Sequence, residues 1–559
     1  MDVNAAAKSY FKRIFQEVSG LKVVLLDKET ISIVSSCLTQ TELLENQVYL
    51  TEVLENQREN VRHLKCVAFI RPTKLHIRLL CEEIRNPKYA EYHLYFTNIV
   101  SRSLLERIAE SDDFEAVKSV QEYFLDYEVV NSDFASFAMP HVLGTAKDTW
   151  DENALERVHQ GVVSLLLSLK KNPVIRYDAN SDMCLKLAGQ ISYTIQQELQ
   201  LFNFRKSDVD PLLLILDRKN DPVTPLLMQW TYQAMVHDLF GIQNGRVTLP
   251  NTSDASQEPQ EFVLNPFQDN FYQETMLNNF GDLGIKIKNY VSQLQSKSSK
   301  KASDIETIDD MKQFLEAYPD YKKLSGNVSK HVALLSELSN RVQHDNLLEL
   351  GELEQSLACN DSQSSDFTAI QAALMSTVPD TLKLCLVCLY ALRYEKDFPG
   401  NVKTLQALLV ANLSNPMSAS CVPVLLSLCG KQARQDEIFP SSNIFSKAAR
   451  SGLHGLRGVE NVYTQHVPFL KVILTDILNG KPRTATQPYA STVNTAIIKK
   501  PQDIIVVIVG GATFEEAKIV SELNAAQNGT RIVLASNAVL NCNMFVNDLL
   551  RSAQTIGNE

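Results

Sequence analysis

Two uninterrupted apolar runs constrain the fold of this chain most strongly. One occupies positions 212–216 and the other positions 504–509. Both are far too short to span a membrane as a helix, and a short, wholly apolar run is typical of a strand that is buried on both faces. Helical patterns precede the first run and follow the second, so we expect an α/β fold built around parallel sheets.

The same alternation of strands and helices occupies the first third of the chain and returns at its end. We expect further strands at 22–27, 66–70, 93–96 and 531–534, and helices at 42–55, 75–85, 152–170, 182–200, 513–524 and 541–552. The stretch between the two strand-forming parts, 246–480, is mostly helical. The economical interpretation is one sheet made from two separated pieces of chain, with a helical insertion between them.

Composition narrows the range of functions. The formal net charge is -11, whereas a nucleic-acid-binding protein normally carries a basic face. The same charge gives no attraction to anionic lipids, so any membrane work is expected to go through protein partners. The ten cysteines have no framework spacing, and positions 1–15 predict a short amphipathic helix instead of a signal peptide. We therefore expect a cytosolic location with reduced thiols.

A search for catalytic motifs gives little. Gly510 and Gly511 follow a buried strand, which is where a nucleotide binds in an open α/β sheet, but the spaced third glycine is absent and there is no phosphate-binding loop elsewhere. We interpret this turn as a helix start, with Thr513 as N-cap and Glu516 completing a capping box. Nucleotide binding stays as the less favoured alternative.

Cys385 and Cys388 have the spacing of a metal-binding pair, but no second pair lies at zinc-site distance. Both fall on one face of a leucine-rich helical pattern, so buried hydrophobic side chains are favoured over metal ligands. Hydrolase and zinc-protease motifs are also missing. The sequence therefore predicts no enzyme and no cofactor.

The most distinctive segment is 216–239, Leu-Asp-Arg-Lys-Asn-Asp-Pro-Val-Thr-Pro-Leu-Leu-Met-Gln-Trp-Thr-Tyr-Gln-Ala-Met-Val-His-Asp-Leu. A buried strand ends in charged residues and two prolines fix the turn. Pro225 suits the first position of a helix capped by Thr224. The residues alone thus predict a braced strand–turn–helix corner, with structural roles for Asp217, Arg218, Asp221, Pro222, Thr224, Pro225 and Trp230.

This corner closely resembles the signature of the SM (Sec/Munc-type) family of SNARE regulators, whose members carry Asp-Arg-x-x-Asp-Pro-Val-Thr-Pro-Leu at this place. The runs 23–28, 85–89, 279–284 and 508–513 agree, and 229–237 is similar to the vacuolar-protein-sorting branch. The resemblance covers nearly the whole chain. It implies a three-domain arch: α/β domain 1 at 1–134, a discontinuous α/β domain 2 at 135–245 and 481–559, and a mostly helical domain 3 at 246–480 with a helical hairpin around 300–358.

The resemblance further implies two contacts with a syntaxin-type Qa SNARE. The short N-terminal peptide of the SNARE would bind a domain 1 pocket made of Leu105, Ile108, Val117, Val120, Glu122 and Phe124. Phe114, Val117, Val120 and Phe124 fall at helical spacing, and such a stripe also suits a helix that faces the core. The helical SNARE region would lie in a central cavity lined on its domain 1 side by Gln40, Arg58, Glu59 and Arg71, although charged residues in connections are ordinarily only solvated.

In domain 3 the helical spacing continues across Pro319, and a proline inside a helix is expected to break or kink it. By resemblance, Pro319 lies at the hinge of a hairpin that extends to offer Val328, Val332 and Leu335 to a vesicle R-SNARE. If 328–357 formed one helix, it would be roughly 45 Å long at 1.5 Å per residue. A plain helix–turn–helix with its apolar stripe buried is the alternative.

The function implied by the resemblance is regulation of SNARE-mediated vesicle fusion in endosomal, trans-Golgi and vacuolar transport. The chain would act as a monomer, by stoichiometric binding of the Qa SNARE, the vesicle R-SNARE and the assembled SNARE complex. It would bind no nucleic acid and would associate with Golgi and endosomal membranes only through its partners. A passive trafficking scaffold and a nucleotide-binding α/β enzyme are the two alternatives.

Overall fold

The computed structural model describes residues 1–205, 208–249, 259–298, 308–439, 462–481, 483–490, 500–526 and 529–556, with the backbone alone at 293–298, 308–325 and 556. The chain divides into two compact units. Unit 1 contains Met1–Arg218, Leu470–Ala512 and Ile519–Val539, and unit 2 contains Lys219–Phe469, Thr513–Lys518 and Leu540–Glu559. The three domain boundaries expected from the sequence stay a prediction.

The strands are β1 Lys22–Leu26, β2 Val48–Val53, β3 Val61–Ile70, β4 Tyr89–Phe96, β5 Val117–Glu122, β6 Glu128–Asn131, β7 Phe134–Ser136, β8 Val174–Tyr177, β9 Leu212–Asp217, β10 Arg246–Leu249, β11 Gln260–Val263, β12 Asp503–Val509, β13 Ala512–Thr513, β14 Arg531–Ser536 and β15 Val539–Leu540. The helices are α1 Val3–Glu17, α2 Thr30–Cys37, α3 Gln40–Glu45, α4 Lys74–Arg85, α5 Arg102–Ala109, α6 Glu152–Ser168, α7 Asp182–Gln197, α8 Tyr232–Leu239, α9 Asn270–Thr275, α10 Phe280–Ser298, α11 Ile308–His344, α12 Leu347–Cys359, α13 Gln363–Met375, α14 Asp380–Tyr394, α15 Pro399–Asn412, α16 Cys421–Cys429, α17 Phe469–Leu478, α18 Phe514–Ala526 and α19 Cys542–Ile556. The fold is α/β, as predicted.

Unit 1 holds two sheets. The first has the order β2-β1-β3-β4-β5, with every neighbouring pair parallel. The predicted helix at 42–55 is wrong in its second half, because α3 ends at Glu45 and β2 begins at Val48. Pairing of β2 with β1 supplies the backbone hydrogen bonds that a longer helix would have made, so tertiary contact overrode the local helical spacing.

The second sheet has the order β6-β7-β14-β12-β9-β8 and is parallel except for the β6–β7 pair. Its centre is β12, all of whose seven residues are buried, flanked by β9 and β14. The sheet therefore combines strands from before 218 with strands from after 502, as the apolar runs predicted. Such central strands are apolar on both faces because helices cover both sides of a parallel sheet.

Unit 2 is mostly helical and packs around one large apolar cluster. The chain does not break at Pro319: α11 continues through the backbone of this residue, and its 37 residues span about 55 Å at 1.5 Å per residue. The hinge expected at this proline stays a prediction. A proline removes one helical hydrogen bond, and α11 packs along α10. Residues 328–357 do not form one continuous helix, because the chain turns at Asn346, with φ of 52°, before α12 begins.

Candidate functional site

The predicted peptide pocket lies between α5 and the edge strand β5. Val117 and Val120 belong to β5, so the helical interpretation of this stripe is wrong. Leu94 of β4 pairs with Val120 and lies in the same apolar cluster as Ile108 of α5. Leu105 is 37% exposed and Val120 is 44% exposed, whereas Ile108 is buried. The structure thus places a buried apolar floor beside two accessible aliphatic side chains.

Glu122 and Phe124, two further residues predicted for the pocket, lie at the end of β5 and just beyond it. The Glu122 carboxylate accepts a hydrogen bond from the Val100 amide at 2.7 Å, which holds the residues that lead into α5. Partial burial raises the pKa of Glu122. Phe124 is half-buried just beyond the end of β5. Glu122 therefore has a bracing contact in addition to the binding role predicted for it.

Exposed carboxylates surround the same two elements. Glu110 ends α5, and Asp113 and Glu115 lie in the loop that leads to β5. Phe114 in that loop is 66% exposed. Sequence reasoning had assigned a single acid to this region. The acidic residues at 110–115 are a feature of this region that the sequence reasoning did not use.

The four residues predicted for the SNARE cavity divide into two kinds. Gln40 and Glu59 are exposed. The Arg58 guanidinium is buried against the Glu83 carboxylate at 2.9 Å, and Arg71 is also buried. The two arginines are therefore held inside unit 1 in this structure, and only Gln40 and Glu59 present their side chains to solvent.

Arg71 connects several elements of unit 1. Its guanidinium lies 2.7 Å from Glu29, 3.3 Å from Asp126 and 2.6 Å from the Gln160 side chain of α6. Arg157, also on α6, pairs with Asp126 at 2.9 Å. Because Glu29 and Arg71 follow β1 and β3, this network closes the carboxyl end of the first sheet.

This closure bears on the enzyme alternative. In an open parallel sheet, ligands bind outside the carboxyl ends of the strands. Here Asn98, which follows β4, donates to the Gln160 carbonyl at 3.0 Å, and the Asp126 amide donates to Ser164 at 2.7 Å. Residues of α6 thus lie against the carboxyl end of the first sheet, the edge at which an open parallel sheet binds ligands. Sequence reasoning missed this network because its members are far apart in the chain.

The corner at 216–239 begins in unit 1, where β9 ends. Ser181 donates to the Asp217 carboxylate at 2.6 Å. Arg218 follows and is buried. The backbone of Gly510 passes so close that an added Cβ would lie 2.7 Å from the Arg218 side chain. Gly510 has φ of +95°, so both its conformation and this approach favour glycine.

The part of the corner in unit 2 differs from its predicted form. Thr224 does not cap a helix: residues Thr224–Leu226 form a 3-10 turn and α8 starts only at Tyr232. The Thr224 hydroxyl donates to Asp221 at 2.7 Å, and the Asp221 carboxylate also accepts from the Phe469 amide at 3.0 Å. Pro222 and Pro225 are buried. The aspartate therefore braces the turn that the prolines shape.

Trp230 completes the corner. Its ring packs against the backbone of Gly351 in α12, where an added Cβ would lie 2.9 Å from the ring. It also lies 5.0 Å from the Tyr463 ring, centroid to centroid. Trp230 therefore packs against both α12 and Tyr463.

The predicted vesicle-SNARE residues lie along α11. Val332 is 44% exposed, Leu335 is half-buried and Val328 is buried. Pro319 lies in the part of α11 for which the backbone alone is described. In this conformation, Val332 and Leu335 are available at the surface and Val328 is not.

The structure also locates the other residues that the sequence singled out, which lie in a helix cap and among the buried cysteines. Thr513 and Glu516 form the predicted capping box, with hydrogen bonds of 2.9 and 3.3 Å. Cys385 and Cys388 are buried as predicted. Cys385 is bonded to Cys542, so the expectation of reduced thiols is wrong for this pair. No group of three or more metal-ligating side chains occurs within the described part of the chain. Nor do its described helices include one long and apolar enough to cross a membrane.

Comparisons with known proteins cover the whole molecule. The model of the Sec1 family matches residues 22–548. Vacuolar protein sorting-associated protein 45 of Schizosaccharomyces pombe is 61% identical, over 98% of this chain and 99% of that protein. The Homo sapiens protein of the same name is 41% identical, over 99% and 96% respectively. The solved structure of the SM protein Vps45 in complex with the Qa SNARE Tlg2 superimposes with a TM-score of 0.92 at 45% identity, over 100% of this chain and 99% of that one.

Proposed function

This chain belongs to the Sec1 family and is an SM-type regulator of SNARE-mediated vesicle transport, and from that premise we propose that it binds a syntaxin-type Qa SNARE and assists assembly of the SNARE complex. The observation that carries the proposal is the whole-chain similarity to a Vps45 solved with the Qa SNARE Tlg2. The expected partner is accordingly a Qa SNARE of endosomal or trans-Golgi membranes. Vacuolar protein sorting, named for the relatives, is the transport process in which we place it.

We assign the N-terminal peptide of the Qa SNARE to the surface between α5 and β5. Its support is the pairing of accessible Leu105 and Val120 with a buried floor at Ile108. Aliphatic contacts of this kind bury an apolar anchor, and the acids at 110–115 favour a nearby basic residue. Val117 contributes from below, since it packs against the apolar cluster of the first sheet.

We assign the vesicle R-SNARE to α11, where Val332 and Leu335 reach the surface. Holding two SNARE helices on one molecule converts their alignment into a nearly intramolecular step. It also covers an apolar SNARE face against other partners. Both effects need binding alone, so the chain would act stoichiometrically, as a monomer and without catalysis, and would reach Golgi and endosomal membranes through its SNAREs.

Calorimetry with purified SNAREs tests this function. The chain is titrated with the cytoplasmic region of an endosomal Qa SNARE, with the same region lacking its N-terminal peptide, and with a plasma-membrane Qa SNARE as the matched control. The proposal predicts saturable one-to-one binding to the first and weaker binding to the other two. Equal, weak responses to all three would favour a passive scaffold and contradict the proposal.

A further inference from the structure

A buried polar cluster fixes α11 close to its exposed face. His331 is fully buried, and its Nε2 lies 2.9 Å from the Asp269 carboxylate. Its Nδ1 lies 2.8 Å from the hydroxyl of Tyr232, the first residue of α8. Lys330 pairs with the same Asp269 oxygen and also donates to the Val263 carbonyl at 3.0 Å. Two adjacent residues of α11 are thus tied to three other elements of unit 2.

The Asp269 carboxylate finds its partners, Lys330 and His331, within this cluster. Burial alone would raise the pKa of Asp269, but hydrogen bonds from His331 and Lys330, together with the positive charge of Lys330, hold that pKa well below its ordinary range. Burial lowers the pKa of His331. The Phe271 ring lies 4.6 Å from the His331 ring, centroid to centroid. Removing one partner would leave a buried polar group unsatisfied, which is why such contacts set position strongly.

The corner segment that provides Tyr232 also holds α12. The Met228 amide donates to the Glu354 carboxylate of α12 at 2.8 Å, and Trp230 packs on Gly351 one turn earlier. Within the segment 228–232, Met228 and Trp230 therefore contact α12, and Tyr232 contacts α11. The two helices meet at the turn around Asn346, so this segment supports them on either side of their junction.

We infer that the segment 228–232 is the platform that fixes α11 and α12, and that its Tyr232–His331–Asp269 chain of hydrogen bonds positions the vesicle-SNARE face of α11. This inference rests on the proposed function. Val332 is the next residue after His331, and Leu335 lies one helical turn further on. Because a helix is stiff over one turn, fixing His331 fixes where both side chains stand. The corner at 216–239 thereby braces its own turn and also positions α11.

Two tyrosines provide a matched test. Tyr232→Phe removes the hydroxyl that contacts His331. Tyr272→Phe removes an equally buried hydroxyl in the same aromatic cluster, whose partner is Gln233 and not a residue of α11. Each variant of the full chain is assayed for hydrogen exchange of the amides at 326–344, and for affinity towards an R-SNARE and a Qa-SNARE cytoplasmic region.

We expect Tyr232→Phe to speed exchange in α11 and to weaken R-SNARE binding about tenfold, the effect of one lost buried hydrogen bond, while Qa-SNARE affinity stays within about twofold. Tyr272→Phe should leave both affinities and the exchange of α11 near the starting values. Lys330→Met should reproduce the loss and Lys330→Arg should restore binding, because arginine keeps the ion pair.

Equal effects of the two tyrosine variants would overturn the inference, since the cluster would then contribute only general stability. Unchanged exchange and unchanged R-SNARE affinity in Tyr232→Phe would overturn it as well. If the unmodified chain binds neither SNARE, the proposed function fails. The exchange rates of α11 in the two variants still decide in that case whether Tyr232 positions this helix.

Discussion

Glu354 offers a sharp test of how α12 is held against the corner. Its side chain is 1% exposed, and its carboxylate accepts the Met228 amide at 2.8 Å. Burial, with a further contribution from nearby Asp238, raises the pKa of Glu354 to about 8. Burial likewise raises the pKa of Asp238 to about 7. Near neutral pH, the folded protein therefore keeps a proton on Glu354 that the unfolded chain, with a glutamate pKa of ~4.3, has released.

The sign of the pH dependence follows from this difference in bound protons. When the unfolded state binds fewer protons than the folded state, the free energy of unfolding falls as pH rises. For a folded pKa of about 8, raising the pH from about 6 to about 8 lowers the free energy of unfolding by about 2 kcal/mol through Glu354. Asp238 adds about 1 kcal/mol over the same range. The protein should thus be more stable at pH 6 than at pH 8.

Glu354→Gln removes the larger contribution while keeping an oxygen for the Met228 amide. Urea unfolding followed by tryptophan fluorescence at pH 6, 7 and 8 measures the effect. The variant should lose only about 1 kcal/mol across this range, from Asp238, and should exceed the unmodified protein in stability at pH 8. Glu352→Gln, on the exposed side of the same helix, is the control and should keep the original slope. An unchanged slope in Glu354→Gln would refute the reasoning.

Three further outcomes are expected. Leu105→Arg should abolish binding of the Qa-SNARE N-terminal peptide with the fold intact, because a charge replaces an aliphatic contact, and calorimetry of the folded variant showing undiminished binding would contradict this. Gly161→Ala should destabilise unit 1 by about 1–3 kcal/mol, because the new Cβ would lie 2.8 Å from Cγ of buried Phe137. The control Gly189→Ala places its Cβ in open space and should stabilise the protein by up to ~1 kcal/mol. Urea midpoints in the reverse order would rule out this packing argument. Pro319→Ala should favour an extended hairpin and speed SNARE assembly in a liposome fusion assay, and an unaltered rate would count against a hinge there.

Local sequence pattern determined the parts of this protein whose stabilising contacts lie within one or two turns or along one strand. The apolar run of β12 specified a strand buried on both faces, and the matching run of β9 indicated its neighbour. The capping box at Thr513 and Glu516 involves residues three positions apart. Such features are readable from sequence because the interacting groups are close along the chain.

The resemblance, and not local pattern, supplied the residues that we predict to contact SNAREs. Periodicity at 114–124 gave the wrong period, because a short edge strand with alternating exposure looks much like one face of a helix over so few residues. The structure nonetheless brought Leu105 and Val120 to the surface beside buried Ile108. The order of the strands, and not their individual patterns, produced that arrangement.

Tertiary structure alone decided which charged residues are free to meet a partner. Arg58 is the neighbour of exposed Glu59 in the chain and Arg71 follows β3. Arg71 nevertheless meets Gln160, 89 positions away, and Arg58 meets Glu83, 25 positions away. Long-range pairing also joined Tyr232 to His331, 99 positions away. A side chain's partners depend on which elements the whole fold places together, and that information is spread over the entire chain instead of residing in any one segment.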